Sequence, residues 1–122
     1  MNPKDTANIG LSENKHIMLR EMTDNGVFND MKDGYRLAVS VAISQKLVID
    51  DSPLQNRKNM YDVGGIDEDF IFRNSIAVIF PNQVGQEYKY LEKLADAGIG
   101  ILYANYDANG SLDLRQLLLN DT

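Results

Sequence analysis

Between Ala7 and Leu11, the apolar Ile9 and Leu11 alternate with Asn8 and Gly10, the two-residue repeat of a short strand with one apolar face. Ser12 then stands in an N-cap position. The spacing predicts a helix from Glu13 to about Asp24, with Ile17, Met18 and Met22 on its inward side and Asn25 with Gly26 as a left-handed stop. Asn29 is placed to cap a second helix from Asp30 to about Lys46, in which Met31, Tyr35, Ala38, Val39 and Ala42 recur at helical spacing. Leu37, Val41 and Ile43 fill the remaining side. A helix apolar most of the way round is either central to a core or covered by a second subunit, and the second option is the first indication of a homodimer.

Further along, Leu47 to Ile49 and Met60 to Val63 read as short strands, the second ended by Gly64 and Gly65. Between them, residues 50–59 carry turn formers, a proline and no apolar period, the signature of an exposed loop. Asp67, Glu68 and Asp69 put negative charge at the favourable end of a helix expected from Asp67 to Phe80, with Pro81 beyond it. Phe70, Ile71, Ile76, Ala77 and Ile79 in that run are expected to be buried. A fourth helix starts near Gly85, with Val84, Tyr88, Leu91, Ala95, Leu102 and Tyr106 on one face. If it breaks at Gly98 and Gly100, Ile99 to Tyr103 becomes a strand instead. Asp107 to Gly110 is a turn by composition, and Leu112 to Leu119 is a short amphipathic helix. The fold class is therefore α+β: a mainly helical single domain over residues 1–122 with short strands. Its first half, 1–49, is a strand-helix-helix dimerisation unit, followed by the loop 50–59 and a mainly helical half, 60–122.

Composition sharpens this picture in two respects. The 122 residues hold 12 Lys and Arg against 18 Asp and Glu, a net charge of -6, which disfavours general electrostatic capture of nucleic acid. The imbalance lies entirely in the second half, whose acidic surface suits a basic protein partner. The chain has no cysteine, so disulfides, thiolate metal sites and thiol nucleophiles are excluded. No apolar run approaches the roughly 20 residues that cross a bilayer, and the expectation is a cytoplasmic protein with no membrane partner.

The order strand, helix, glycine turn, helix from Ala7 to Lys46 resembles the ribbon-helix-helix family of small dimeric DNA binders. That resemblance implies two chains pairing their first strands into a ribbon that enters the major groove. Ile9 and Leu11 then face the dimer core, while Lys4, Thr6 and Asn8 take the base-reading positions. Asp30 stands where the family receives a phosphate, and Lys32 partly offsets its charge. The competing reading of the same residues is an ordinary strand and helical hairpin within one globular core. The run from Met31 to Ile43, MKDGYRLAVSVAI, followed by a basic loop and an apolar helix, resembles small accessory proteins encoded beside bacterial DNA phosphorothioation systems. This second resemblance implies a defence-associated role and carries no catalytic residues. Lys46, Arg57 and Lys58 form a small basic edge, which would need doubling in a dimer to hold DNA.

Other motifs are weaker. Asn105 to Gln116 resembles an EF-hand calcium loop in Asp107, Asn109, Gly110, Leu112 and Asp113, but Asn105 and Gln116 replace the two anchoring carboxylates. Asp69, Glu87 and Lys89 give the outline of a magnesium-dependent nuclease, although Glu87 and Lys89 fall two apart on a helix and face differently. His16 is the single histidine, so a zinc cluster cannot be assembled within one chain. The glycine pairs lack the spacing of a phosphate loop. No catalytic residue, cofactor or metal is expected. The sequence points to a non-catalytic DNA-associated regulator or accessory factor, using Lys4, Thr6, Asn8, Lys32, Lys46, Arg57 and Lys58 on DNA. The alternatives are a protein-binding adaptor subunit of a larger assembly, with its contact patch around Phe70 to Phe80 and Tyr88 to Tyr106, and an antitoxin.

Overall fold

A computed structural model describes residues 5–119. The elements run β1 (Asn8–Leu11), α1 (Glu13–Asp24), α2 (Met31–Ser44), β2 (Lys58–Asp62), α3 (Val63–Ile66), α4 (Ile71–Ile79), a 3-10 turn (Pro81–Gln83), α5 (Glu87–Asn109) and α6 (Leu114–Leu119). The result is a mainly helical α+β domain with one two-stranded antiparallel sheet. Lys4 lies outside the described residues. Within them, no helix is long and apolar enough to cross a membrane.

The centre of the molecule is the crossing of α2 and α5. Tyr35, Ala38, Val39, Val41 and Ala42 of α2 are buried, as are Leu91, Leu94, Ala95, Ile99 and Leu102 of α5, while Leu37 and Ile43 pack at the margin of this core. Of the two options for the apolar second helix, the structure therefore gives the first: it is central to the chain's own core. The helices approach closely at Gly98, where a Cβ would overlap the backbone carbonyl of Ala38. Gly98 is thus a contact point, and α5 continues through it and through Gly100 without a break. The alternative of a strand at Ile99 to Tyr103 therefore does not apply. Gly110, at φ 72°, ends α5 in the left-handed conformation.

β1 pairs with β2 of the same chain, Ile9 opposite Tyr61 and Leu11 opposite Lys58, with a bulge between Ile9 and Gly10. The glycine inside the strand is explained by this approach, since a Cβ there would overlap the Lys58 carbonyl. Ile9 and Leu11 are completely buried, but in the chain's own core rather than in a dimer interface.

Other boundaries differ for local reasons. β2 begins at Lys58, so the loop is shorter than expected, and the residues after Asp62 turn into the one-turn α3. Leu47 to Ile49 is not a strand: the Tyr90 hydroxyl donates to the Leu47 carbonyl (2.7 Å) and accepts from the Ile49 amide (3.0 Å), replacing a strand partner. α2 is capped by Asp30, whose Oδ1 accepts from the Asp33 amide at 2.8 Å, and not by Asn29. It ends at Ser44, before Lys46, which is left-handed at φ 52°. α4 starts four residues later than expected because Asp67 folds back as its cap across a left-handed Phe70. α1 buries Leu19 and Met22 but exposes Ile17, and α6 begins at Leu114 rather than Leu112.

Candidate functional site: a polar cleft and an apolar stripe

α5 supplies the groups that hold β1 from the side opposite β2. Glu92 and Asp96 are one helical turn apart, about 6 Å along the axis, which matches the roughly 6.6 Å between alternate residues of a strand. Glu92 Oε1 accepts from the Gly10 amide at 2.8 Å, and Asp96 Oδ1 accepts from both the amide and the hydroxyl of Ser12, each at 2.8 Å. The Tyr35 hydroxyl donates to the Gly10 carbonyl (2.9 Å), and Arg57 Nη2 donates to the Asn8 carbonyl (3.2 Å). Both edges of β1 are thus engaged within one chain, leaving none open for a cross-chain ribbon. Burial in this surround pushes the Tyr35 hydroxyl well above the ordinary tyrosine range, with the Glu92 charge adding to the effect.

Arg57 is fixed against Glu92 at 2.7 Å and forms one wall of a cleft of about 620 Å³. The cleft is lined by Thr6, Asn8, Arg57 and Asn59 from the sheet side and by Asp51 and Pro53 from the loop. Gln83 and Gln86 come from the turn before α5, and Lys89, Tyr90, Glu92 and Lys93 from α5 itself. Lys93 donates from Nζ to the Asp50 carbonyl at 3.0 Å. At the mouth of α5, the Asp5 carboxylate accepts from the amides of Tyr88 (2.8 Å) and Lys89 (2.9 Å), so the helix start is already capped.

Three of the seven residues expected on DNA therefore meet at this cleft: Thr6, Asn8 and Arg57. The other described ones do not. Lys32 stacks its Nζ 5.8 Å from the ring centroid of Tyr61, Lys46 closes the end of α2, and Lys58 sits on β2 towards His16. Partial burial, helped by the charges of Arg20 and Lys58, lowers the His16 pKa. The lining residues missed in the sequence include Asn59, Asp51, Gln83, Gln86 and Lys93, and with them Pro53, Tyr90 and Glu92. Lys89 and Lys93, four apart on an expected helix, were the one legible signal for this wall.

The outline of Asp69, Glu87 and Lys89 does not assemble. Asp69 lines a separate groove with Arg36 and Ile71, while the buried Glu87 accepts from the Gly85 amide at 3.1 Å. In the calcium-like run, Asp107 and Asn109 belong to α5. Asn105 instead fastens α6, its Oδ1 accepting from the Asp113 amide (2.7 Å) and its Nδ2 donating to Gln116 Oε1 (2.9 Å). Among the described residues, no group of three or more possible metal ligands comes together.

The second surface is apolar. Buried Asp67 accepts from the Phe72 amide at 2.9 Å, the Arg73 amide at 3.0 Å and the Tyr88 hydroxyl at 3.0 Å, anchoring the start of α4 to α5. Burial and this hydrogen bond push the Tyr88 hydroxyl up to about 12. Held in this way, α4 turns Ile76 inward while Ile71 and Val78 are 64% and 81% exposed; Phe70, Ile79 and Val84 extend the exposed set. The expectation that Phe70, Ile71 and Ile79 are buried is corrected, because a helix this short meets the core along one line only.

Compared with known protein families, curated proteins and solved structures, the chain matches none.

Proposed function

We propose that this protein is a non-catalytic adaptor that contacts another protein through the apolar stripe of α4. The observation that carries this reading is the exposure of Ile71 and Val78, seven residues apart on one helix face, with Phe70, Ile79 and Val84 nearby. Scattered exposed apolar residues need no explanation, but five gathered on and beside one anchored nine-residue helix, with Asn74 and Ser75 between Ile71 and Val78 on the same face, suit a partner. Glu68 and Asp69 stand beside the stripe with Arg73 as the neighbouring cation, so the complementary partner offers an apolar face with basic flanks. Affinity capture from the native host tests this with wild type and an Ile71→Ser, Val78→Ser double variant. The expected result is a stoichiometric partner that survives nuclease treatment and is lost with the double variant. Retention of the partner by a folded double variant would sink the reading.

A DNA-associated regulator or accessory factor is the second reading, supported by a different observation: Thr6, Asn8 and Arg57 share one cleft with Lys89 and Lys93. Since β1 is engaged on both edges, such contact would run through the cleft and not through a cross-chain ribbon. Duplex affinity that falls with salt and is weakened by Lys89→Gln is the expected result. Absence of any salt-dependent duplex binding ends this reading. The homodimer that a ribbon requires is tested by light scattering over a concentration series, where a constant monomer mass removes it.

A further inference from the structure

We propose that the polar cleft beside α5 is a nucleotide site, taking a nucleoside monophosphate either free or as the phosphorylated end of a strand. The inference is independent of the α4 surface and rests on the same cleft as the DNA-associated reading. Failure of duplex binding leaves it standing, because free nucleotides test it directly.

The first argument is size. About 620 Å³ lies within the roughly 300–1,000 Å³ typical of small-molecule pockets and is far larger than a simple inorganic anion needs. The second is charge. In a chain of net charge -6, the cleft brings together Arg57, Lys89 and Lys93 against Glu92 and Asp51, a local excess of positive charge. Arg57 is committed to Glu92, but among the described residues Lys89 and Lys93 make no ion pair. The one hydrogen bond of Lys93 goes to the Asp50 backbone carbonyl, and the exposed Asp50 carboxylate offsets part of its charge without forming an ion pair. Two lysines one turn apart match a terminal phosphate, which carries about -1.5 to -2 at neutral pH, better than a single carboxylate.

The third argument is the set of side-chain amides. Gln83 and Gln86 make no side-chain hydrogen bond among the described residues, and Asn59 uses only its Oδ1, accepting from Arg57 at 3.1 Å. A carboxamide presents a donor and an acceptor side by side, the arrangement that pairs with the edge of an adenine. Asp51 adds an acceptor suited to a sugar hydroxyl or an exocyclic amine. The helix start supplies nothing here, because Asp5 already occupies its amides; the ligand is held by side chains.

Calorimetry on the full chain tests this with adenosine monophosphate, adenosine, inorganic phosphate, citrate, and a short single-stranded oligonucleotide with and without a terminal phosphate. Adenosine monophosphate is expected to bind at least about tenfold more tightly than adenosine, the worth of a charge-assisted contact. Lys89→Gln and Lys93→Gln, which keep good helix formers in α5, should remove that advantage while nucleoside binding remains. Gln83→Glu, outside α5, gives an independent loss by placing negative charge in the wall. If the phosphorylated oligonucleotide binds more tightly than the free nucleotide, the ligand is a strand end; if it does not, the ligand is a free nucleotide, and either result upholds the site. The proposal is overturned if phosphate or citrate binds as well as the nucleotide, if no nucleotide binds at millimolar concentration, or if folded variants bind it unchanged.

Discussion

Residue for residue the α4 segment is more apolar in sequence than the α2 and α5 helices of the centre, yet it is α4 that leaves apolar side chains exposed. At the centre, 23-residue α5 runs the length of α2 and closes on it at Gly98, and its carboxylates satisfy the free edge of β1. Among the described residues no buried side-chain nitrogen or oxygen lacks a partner. The α4 helix has nine residues, is anchored through Asp67 and leaves Val78 81% exposed. An apolar residue is buried only if some element is long enough and close enough to cover it. The centre is therefore where stability resides, and α4 is where apolar surface is left for a partner.

Substitutions that separate these roles should rank accordingly. Gly98→Val forces α2 and α5 apart and is expected to cost about 3 kcal/mol, measured as a lower urea midpoint at unchanged slope. A cost near zero would mean that the crossing is looser than described. Glu92→Ala strips the Gly10 amide and Arg57 of their shared acceptor, and a loss of about 2 kcal/mol is expected. Hydrogen exchange at the Gly10 amide should accelerate with it. Asp67→Ala removes the cap of α4 and should cost about 1.5 kcal/mol, with faster exchange at the amides of Phe72 and Arg73.

Alkaline pH gives a smaller effect on the link between the two regions. The Tyr88 hydroxyl is raised from 10 to about 12 in the folded protein, so its contribution is complete below pH 10. It is lost as the pH rises towards about 12, because the unfolded chain releases that proton first. Tyr88→Phe should flatten the fall in stability over this window by about 1 kcal/mol near pH 11, read from urea midpoints across a pH series. The smallest effect is expected at Val78→Ser, within about 0.5 kcal/mol of wild type, since the side chain is exposed. A large loss there would show that the stripe is part of the stabilising core.

Much of the fold was legible because local chemistry specified it. Ile9 and Leu11 marked β1, Asn25 and Gly26 marked the end of α1, and the two-sided apolar pattern of Met31 to Ile43 marked a helix covered on all sides, without saying whether by this chain or by a second one. The site was less legible. Thr6, Asn8 and Arg57 were named individually, but Gln83, Gln86 and Asn59 carry no motif and acquire meaning only as neighbours across a cleft.

Sequence alone determined the class of the molecule, mainly helical with short strands, its acidic balance and the exclusion of cysteine chemistry, since periodicity and composition are properties of consecutive residues. Tertiary structure decided which strand completes β1, that Gly98 is a contact and not a break, and which apolar face of α4 stays open. Those outcomes depend on whether groups far apart in the chain come within contact distance: Glu92 and Asp96 reach β1 only after α5 has packed on α2, a juxtaposition that no local pattern encodes.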